Sequence, residues 1–136
     1  MNHITNINLS NSDWNTTSED LIVTGVYEEK TLSPQAKLID SSTKHIFTKA
    51  IESGDVNGKV GTSHTFYYDS KILVLIGLGS KKNYDGNVAR IVSGNASRLA
   101  ITKGKNSFAM ECLCSGNVKH CQSIGEGLVL GSYEFL

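Results

Sequence analysis

The chain has 136 residues, with 13 Lys and Arg against 13 Asp and Glu, and a formal net charge of zero. Hydrophobic residues make up 39% and charged residues 19%, which suits one domain with a core and is not the composition of a disordered polymer. A balanced charge excludes the broad basic footprint that holds nucleic acid or an anionic membrane, and no apolar run approaches the roughly 20 residues needed to span a bilayer.

Residues 1–20 are rich in Asn, Ser and Thr. The alternation of Ile4, Asn6 and Asn8 against Thr5, Ile7 and Leu9 is compatible with a first strand. A polar connection follows, in which Trp14 is expected to pack onto the domain. Residues 21–27 are apolar and β-branched between polar flanks, and read as a strand. Ser33 and Pro34 open a helix running toward Asp40, Ser33 as N-cap and Pro34 at the first helical position. A second helix presents Ile46, Phe47, Ala50 and Ile51 on one face, with Gly54 as its left-handed C-terminal cap.

Residues 62–68 are rich in Thr, His, Phe and Tyr and predict a strand. Asp69, Ser70 and Lys71 form a turn. Residues 72–76 are continuously apolar, the mark of a strand covered on both faces. The pair reads as a hairpin, so the sheet is expected to be mixed rather than purely parallel. From residue 84 to 103 the spacing predicts a long helix with Val88, Ile91, Val92, Ala96, Leu99 and Ala100 as its apolar stripe and Gly104 at its end. Residues 107–112 read as another strand. Val118, Cys121, Ile124, Leu128 and Val129 then carry helical spacing to the end. Alternating strands and helices make the fold class α/β, three-layered, with a mixed sheet flanked by helices.

Candidate chemistry is sparse. Gly77-Leu78-Gly79-Ser80-Lys81-Lys82 follows a buried strand and precedes a helix, where α/β folds bind phosphate on backbone N–H groups. Gly77, Gly79 and Ser80 are the candidate seat for a nucleotide or ADP-ribose. The full Gly-x-Gly-x-x-Gly is absent, because Asn83-Tyr84 follows Lys82, and the plainer reading is a tight turn that needs glycine for positive φ. Cys112, Cys114, His120 and Cys121 form a possible ligand set. No zinc spacing is met, since neighbours on a helix diverge by about 100°. Small buried hydrophobes are the expectation. His45, His64, Asp55 and Asp69 lie in unrelated segments and suggest no catalytic constellation.

Three cysteines, an odd number, fit a reducing compartment better than a disulfide framework. The N-terminus has neither a basic nor an apolar leader region. A cytoplasmic chain is expected, in which the Asn-x-Ser/Thr triplets at Asn8, Asn15 and Asn95 are not glycosylation sites.

Four stretches share an order and spacing that resemble the leucine (cytosol) aminopeptidase family, bacterial aminopeptidase A type. They are Leu21-Ile22-Val23-Thr24-Gly25-Val26-Tyr27, Gly54-Asp55-Val56-Asn57-Gly58-Lys59-Val60-Gly61, Ile72-Leu73-Val74-Leu75-Ile76-Gly77-Leu78-Gly79-Ser80, and the end segment Glu126-Gly127-Leu128-Val129-Leu130-Gly131-Ser132-Tyr133-Glu134-Phe135. The polar segment over residues 1–20, with its possible first strand, precedes the resemblance. The resemblance implies a macrodomain-like N-terminal domain over residues 21–136, ending in the start of the helix that links to a metal-dependent peptidase domain. The family's metal-site hallmark, Asn-Thr-Asp-Ala-Glu-Gly-Arg-Leu, is not in this sequence, and Asn83-Tyr84-Asp85-Gly86-Asn87 does not replace it. No catalytic or metal-binding residue therefore carries over.

By the same resemblance, two divalent metals, zinc or manganese, belong to a second, catalytic domain, which is the expected partner. The parent is expected to be a hexameric leucyl aminopeptidase acting on peptides. This chain alone is expected to be an inactive accessory domain serving assembly or regulation, with neither nucleic acid nor membrane as partner. The alternative is a stand-alone macrodomain-like module binding ADP-ribose or a nucleotide. The uncapped end at Tyr133-Glu134-Phe135-Leu136 leads to the expectation that the sequence continues in a longer protein. Leu128, Leu130 and Phe135 would then make the isolated chain self-associate.

Overall fold

The structure is a computed structural model and describes residues 14–15, 19–105 and 107–111. The expected first strand, the last helix and the cysteine–histidine set at 112–121 lie outside the described residues. Four strands form one mixed sheet in the order β2-β3-β1-β4. They are β1 (Leu21–Val26), β2 (Ser63–Tyr68), β3 (Lys71–Gly77) and β4 (Ala109–Met110). β1 runs parallel to β3 and to β4, whereas β2 and β3 are an antiparallel hairpin. The turn is made by Asp69, at φ 52°, and Ser70.

β1 and β3 are the buried centre of the sheet, and their alternation builds two cores. Leu21 and Val23 with Val74 and Ile76 face one side, where they meet Ala89, Val92, Ala96 and Ala100 of α3 (Gly86–Thr102). Ile22 and Val26 with Leu73 and Leu75 face the other, against Ala36, Ile39, Phe47 and Ile51. These come from α1 (Pro34–Ser42) and α2 (Ile46–Glu52). Burying each Val, Leu, Ile or Phe among them contributes about 1.5–3 kcal/mol relative to exposure, so a strand apolar on both faces is stable only between two helical layers. Trp14 packs at the edge of the second core, as the sequence suggests.

Three expectations are refined. Ser33 precedes α1, but its hydroxyl makes no cap bond within that helix. It accepts the Gly25 N–H at 3.0 Å and donates to Glu111 at 2.7 Å, tying α1 to the sheet instead. α3 begins at Gly86 rather than residue 84, because residues Lys81–Asn83 form a separate 3-10 turn. Asp85 caps it by accepting the Val88 N–H at 2.9 Å. Ile91, placed on the apolar stripe from spacing, is 43% exposed. The buried face is centred instead on Ala89, Val92, Ser93, Ala96, Ser97 and Ala100, because small residues let the helix lie close to the sheet.

Candidate functional site

β1 leads into α1 on one face of the sheet, and the neighbouring β3 leads into α3 on the other. Adjacent parallel strands whose connections depart to opposite faces leave a crevice at their carboxyl ends, the usual ligand position in open α/β sheets. A crevice of about 440 Å³ lies there. Tyr27, Thr31, Ser33 and Lys37 line it from the β1 side, and Lys81 and Tyr84 from the β3 side. The two tyrosine rings meet edge to face at 6.0 Å, and the Lys81 ammonium stands 5.5 Å from the Tyr27 ring centroid.

The turn suggested from sequence, Gly77, Gly79 and Ser80, lies just before Lys81 and outside the crevice lining. Gly79 is at φ +77°, the conformation the turn requires of glycine. Its backbone N–H groups point into the protein. Gly77 donates to the Thr62 carbonyl at 2.9 Å, Leu78 to Val26 at 2.9 Å and Gly79 to Gly58 at 2.8 Å. The Lys81 N–H and the Ser80 hydroxyl both donate to the Glu29 carboxylate, at 3.1 and 3.0 Å. The Lys81 N–H, the Glu29 N–H and the Ser80 hydroxyl, with the Lys81 charge, hold the Glu29 carboxyl below its ordinary range and outweigh slight desolvation.

A second carboxylate bonds to Ser33, a residue of the crevice lining. Glu111 follows β4, and its own N–H donates to the Val23 carbonyl at 3.0 Å. Its side chain reaches the start of α1, accepting from the Ser33 hydroxyl and from the backbone N–H groups of Gln35 and Ala36. Desolvation pushes this carboxyl above its ordinary value, and the hydrogen bonds only partly offset it.

Asp40 works away from the crevice. It accepts from the Phe47 and Thr48 N–H groups at 2.9 and 3.0 Å, from the Thr48 hydroxyl, and lies 3.2 Å from His45 Nδ1. Burial pushes this carboxyl up, but bonds from Thr48, His45 and Phe47 outweigh it and hold it low. His45 is therefore bound to a helix cap, while His64 lies apart on β2. No three His, Cys, Asp or Glu side chains converge as a metal site among the described residues.

Neither Glu29 nor Glu111 stands out in the sequence. Each acts on groups about 50 to 80 positions away, and no local pattern encodes such a reach.

The fold is macrodomain-like. The structure superposes on the macrodomain of Thermus aquaticus DarG with a TM-score of 0.67 at 14% identity, covering 91% of each chain. It superposes on a tomato leucine aminopeptidase variant with a TM-score of 0.71 at 21% identity, covering 92% of this chain and 27% of that one. The sequence profile of the cytosol aminopeptidase family, N-terminal domain, matches residues 23–136, and the chain belongs to this family. A probable cytosol aminopeptidase of Paraburkholderia xenovorans is 37% identical over 89 residues, which is 60% of this chain and 18% of that protein. The matched part is thus under a fifth of that relative's length.

Proposed function

We propose that this chain is the accessory N-terminal domain of a metal-dependent leucyl aminopeptidase that removes N-terminal residues from peptides in the cytoplasm. The observation that carries this reading is the family match over residues 23–136, against relatives several times longer. Two divalent ions, zinc or manganese, held by a separate catalytic domain would supply the Lewis acidity for hydrolysis. The described residues of this chain bring no group of carboxylates and histidines together for that purpose. This domain then serves assembly of the parent, a hexamer by family resemblance, or shapes access to its active sites.

Two measurements test the reading. The purified chain is expected not to hydrolyse leucine p-nitroanilide with either Mn²⁺ or Zn²⁺. Metal-stimulated turnover by this chain would overturn the accessory role. The coding sequence past the codon for Leu136 is expected to continue into a stretch encoding Asn-Thr-Asp-Ala-Glu-Gly-Arg-Leu. A stop without it removes the peptidase parent. The second reading, a module for ADP-ribose or a nucleotide, is favoured by the position of the crevice at the carboxyl ends of β1 and β3.

A further inference from the structure

We infer that the outer edge of β2 docks a second copy of this chain, strand to strand and antiparallel, so that two sheets join into one. The strand order leaves β2 at an edge. On β3 the Ile72 and Leu78 N–H groups donate to Asp20 and Val26 on the β1 side. The alternate residues of β3 therefore turn their backbone groups toward β2, as the Gly77 N–H does in donating to the Thr62 carbonyl at 2.9 Å. Their partners are Thr62, His64, Phe66 and Tyr68. The backbone groups of Ser63, Thr65 and Tyr67 then point outward, and they bond to no other segment among the described residues. Tyr67 and Ser63 are exposed, so this edge is open to solvent. Folded domains ordinarily blunt an open edge with a charge, a proline or a bulge. Residues 62–68 contain no Lys, Arg, Asp, Glu or Pro, and β2 pairs with β3 in unbroken register from Ser63 to Tyr68.

The register that this edge permits selects a second copy as its occupant. An antiparallel pair of identical strands has a twofold axis, and each contact is made twice. Residues whose backbone groups point outward must face each other, so Thr65 opposes Thr65 of the partner subunit and Ser63 opposes Tyr67 of the partner subunit. The two copies then exchange about six backbone hydrogen bonds. On the other face, Phe66 meets His64 of the partner subunit, a cross-strand aromatic pair. Charge is also matched. The paired segment brings no like charges together, and the exposed Asp69 of the hairpin turn comes to the loop that carries the exposed Lys59 in the other copy. A contact confined to one edge is at the low end of protein interfaces, under about 1,200 Å², so the pair is a weak one that forms at micromolar concentrations and above.

The test is sedimentation equilibrium of the full 136-residue chain at concentrations from about 10 µM to 1 mM. The mass is expected to rise with concentration from 14.7 kDa toward twice that value. Thr65→Pro removes an outward N–H and spares the pairing with β3, because an edge strand tolerates proline where the N–H faces solvent. Tyr67→Lys places a charge on the same edge. Each variant, shown to be folded by circular dichroism, is expected to associate at least about tenfold more weakly than the wild type. If Thr65→Pro does not fold, Tyr67→Lys decides alone. A wild type that stays monomeric over the whole range would overturn the proposal. So would association of unchanged strength in either folded variant, which would place the contact elsewhere on the chain.

Discussion

Gly77 shows what a single residue decides here. A Cβ on it would lie 1.9 Å from the Lys59 carbonyl oxygen. The loop between α2 and β2 therefore rests directly on the end of β3. Gly58 makes the matching approach on the other side of that loop, at φ +75° and with a Cβ position 2.4 Å from the Tyr27 backbone. Gly77→Ala is expected to lower stability by about 3 kcal/mol. A loss under about 1 kcal/mol in urea unfolding would mean that residues 59–62 simply move aside. Asp40 is the other decisive residue, since it holds two N–H groups of the first turn of α2 that no residue of that helix can satisfy. Asp40→Ala should cost about 2 kcal/mol. The acidic groups also set the pH response, with opposite signs. Asp40 is held low in the folded state, so its contribution is present above the ordinary aspartate value and is lost as pH falls through the folded value. Glu111 is raised, so the unfolded chain ionises first and stability falls as pH rises from the ordinary glutamate value through the folded one. Glu111→Gln should flatten that decline in thermal unfolding followed across weakly acidic pH, and an unchanged profile would contradict the assignment to Glu111.

Among the elements, β3 and α2 were legible because burial there is a matter of residue type. Leu73 to Ile76 are apolar without interruption and are buried on both faces, and Phe47 and Ile51 lie one turn apart toward the core. α3 was legible in extent and, but for Ile91, in the face it buries, since Val92, Ala96 and Ala100 are buried and Val88 and Leu99 pack against the same core. Besides Val92, its interface is built from Ala, Ser and Gly, which spacing arguments weight less than Ile91, yet close approach to the sheet favours them. Its beginning depends on Asp85, whose carboxylate accepts the Val88 N–H. Asp85→Ala is expected to cost about 1 kcal/mol, and Asp85→Asn only a few tenths. If calorimetric melting finds the alanine variant as stable as the wild type, the helix start is held by other contacts. Ser33 carries the converse lesson. It sits at the position expected of a cap, but its hydroxyl serves Gly25 and Glu111, because a partner brought by β4 competes for it.

For the whole molecule, the sheet order places β1 and β3 between helical layers and puts the short β4 beside β1. Amide exchange is expected to be slowest in β1 and β3, whose amides lie in the doubly covered centre, and faster in β2, where Tyr67 is 71% exposed. Uniform protection of all three strands would contradict this division. The amino-acid sequence by itself determined the α/β class, the mixed sheet, the buried central strand and the family, because these follow from hydrophobic periodicity, turn residues and motif order, all local along the chain. It also placed Gly77, Gly79 and Ser80 at a strand-to-helix turn. Only the tertiary structure decided where the donors of that turn point and which carboxylate faces them. Glu29 reaches Ser80 and Lys81 because folding brings the ends of β1 and β3 together, and Glu111 reaches Ser33 from the end of β4; hydrogen bonds between segments tens of residues apart leave no periodic trace in the sequence.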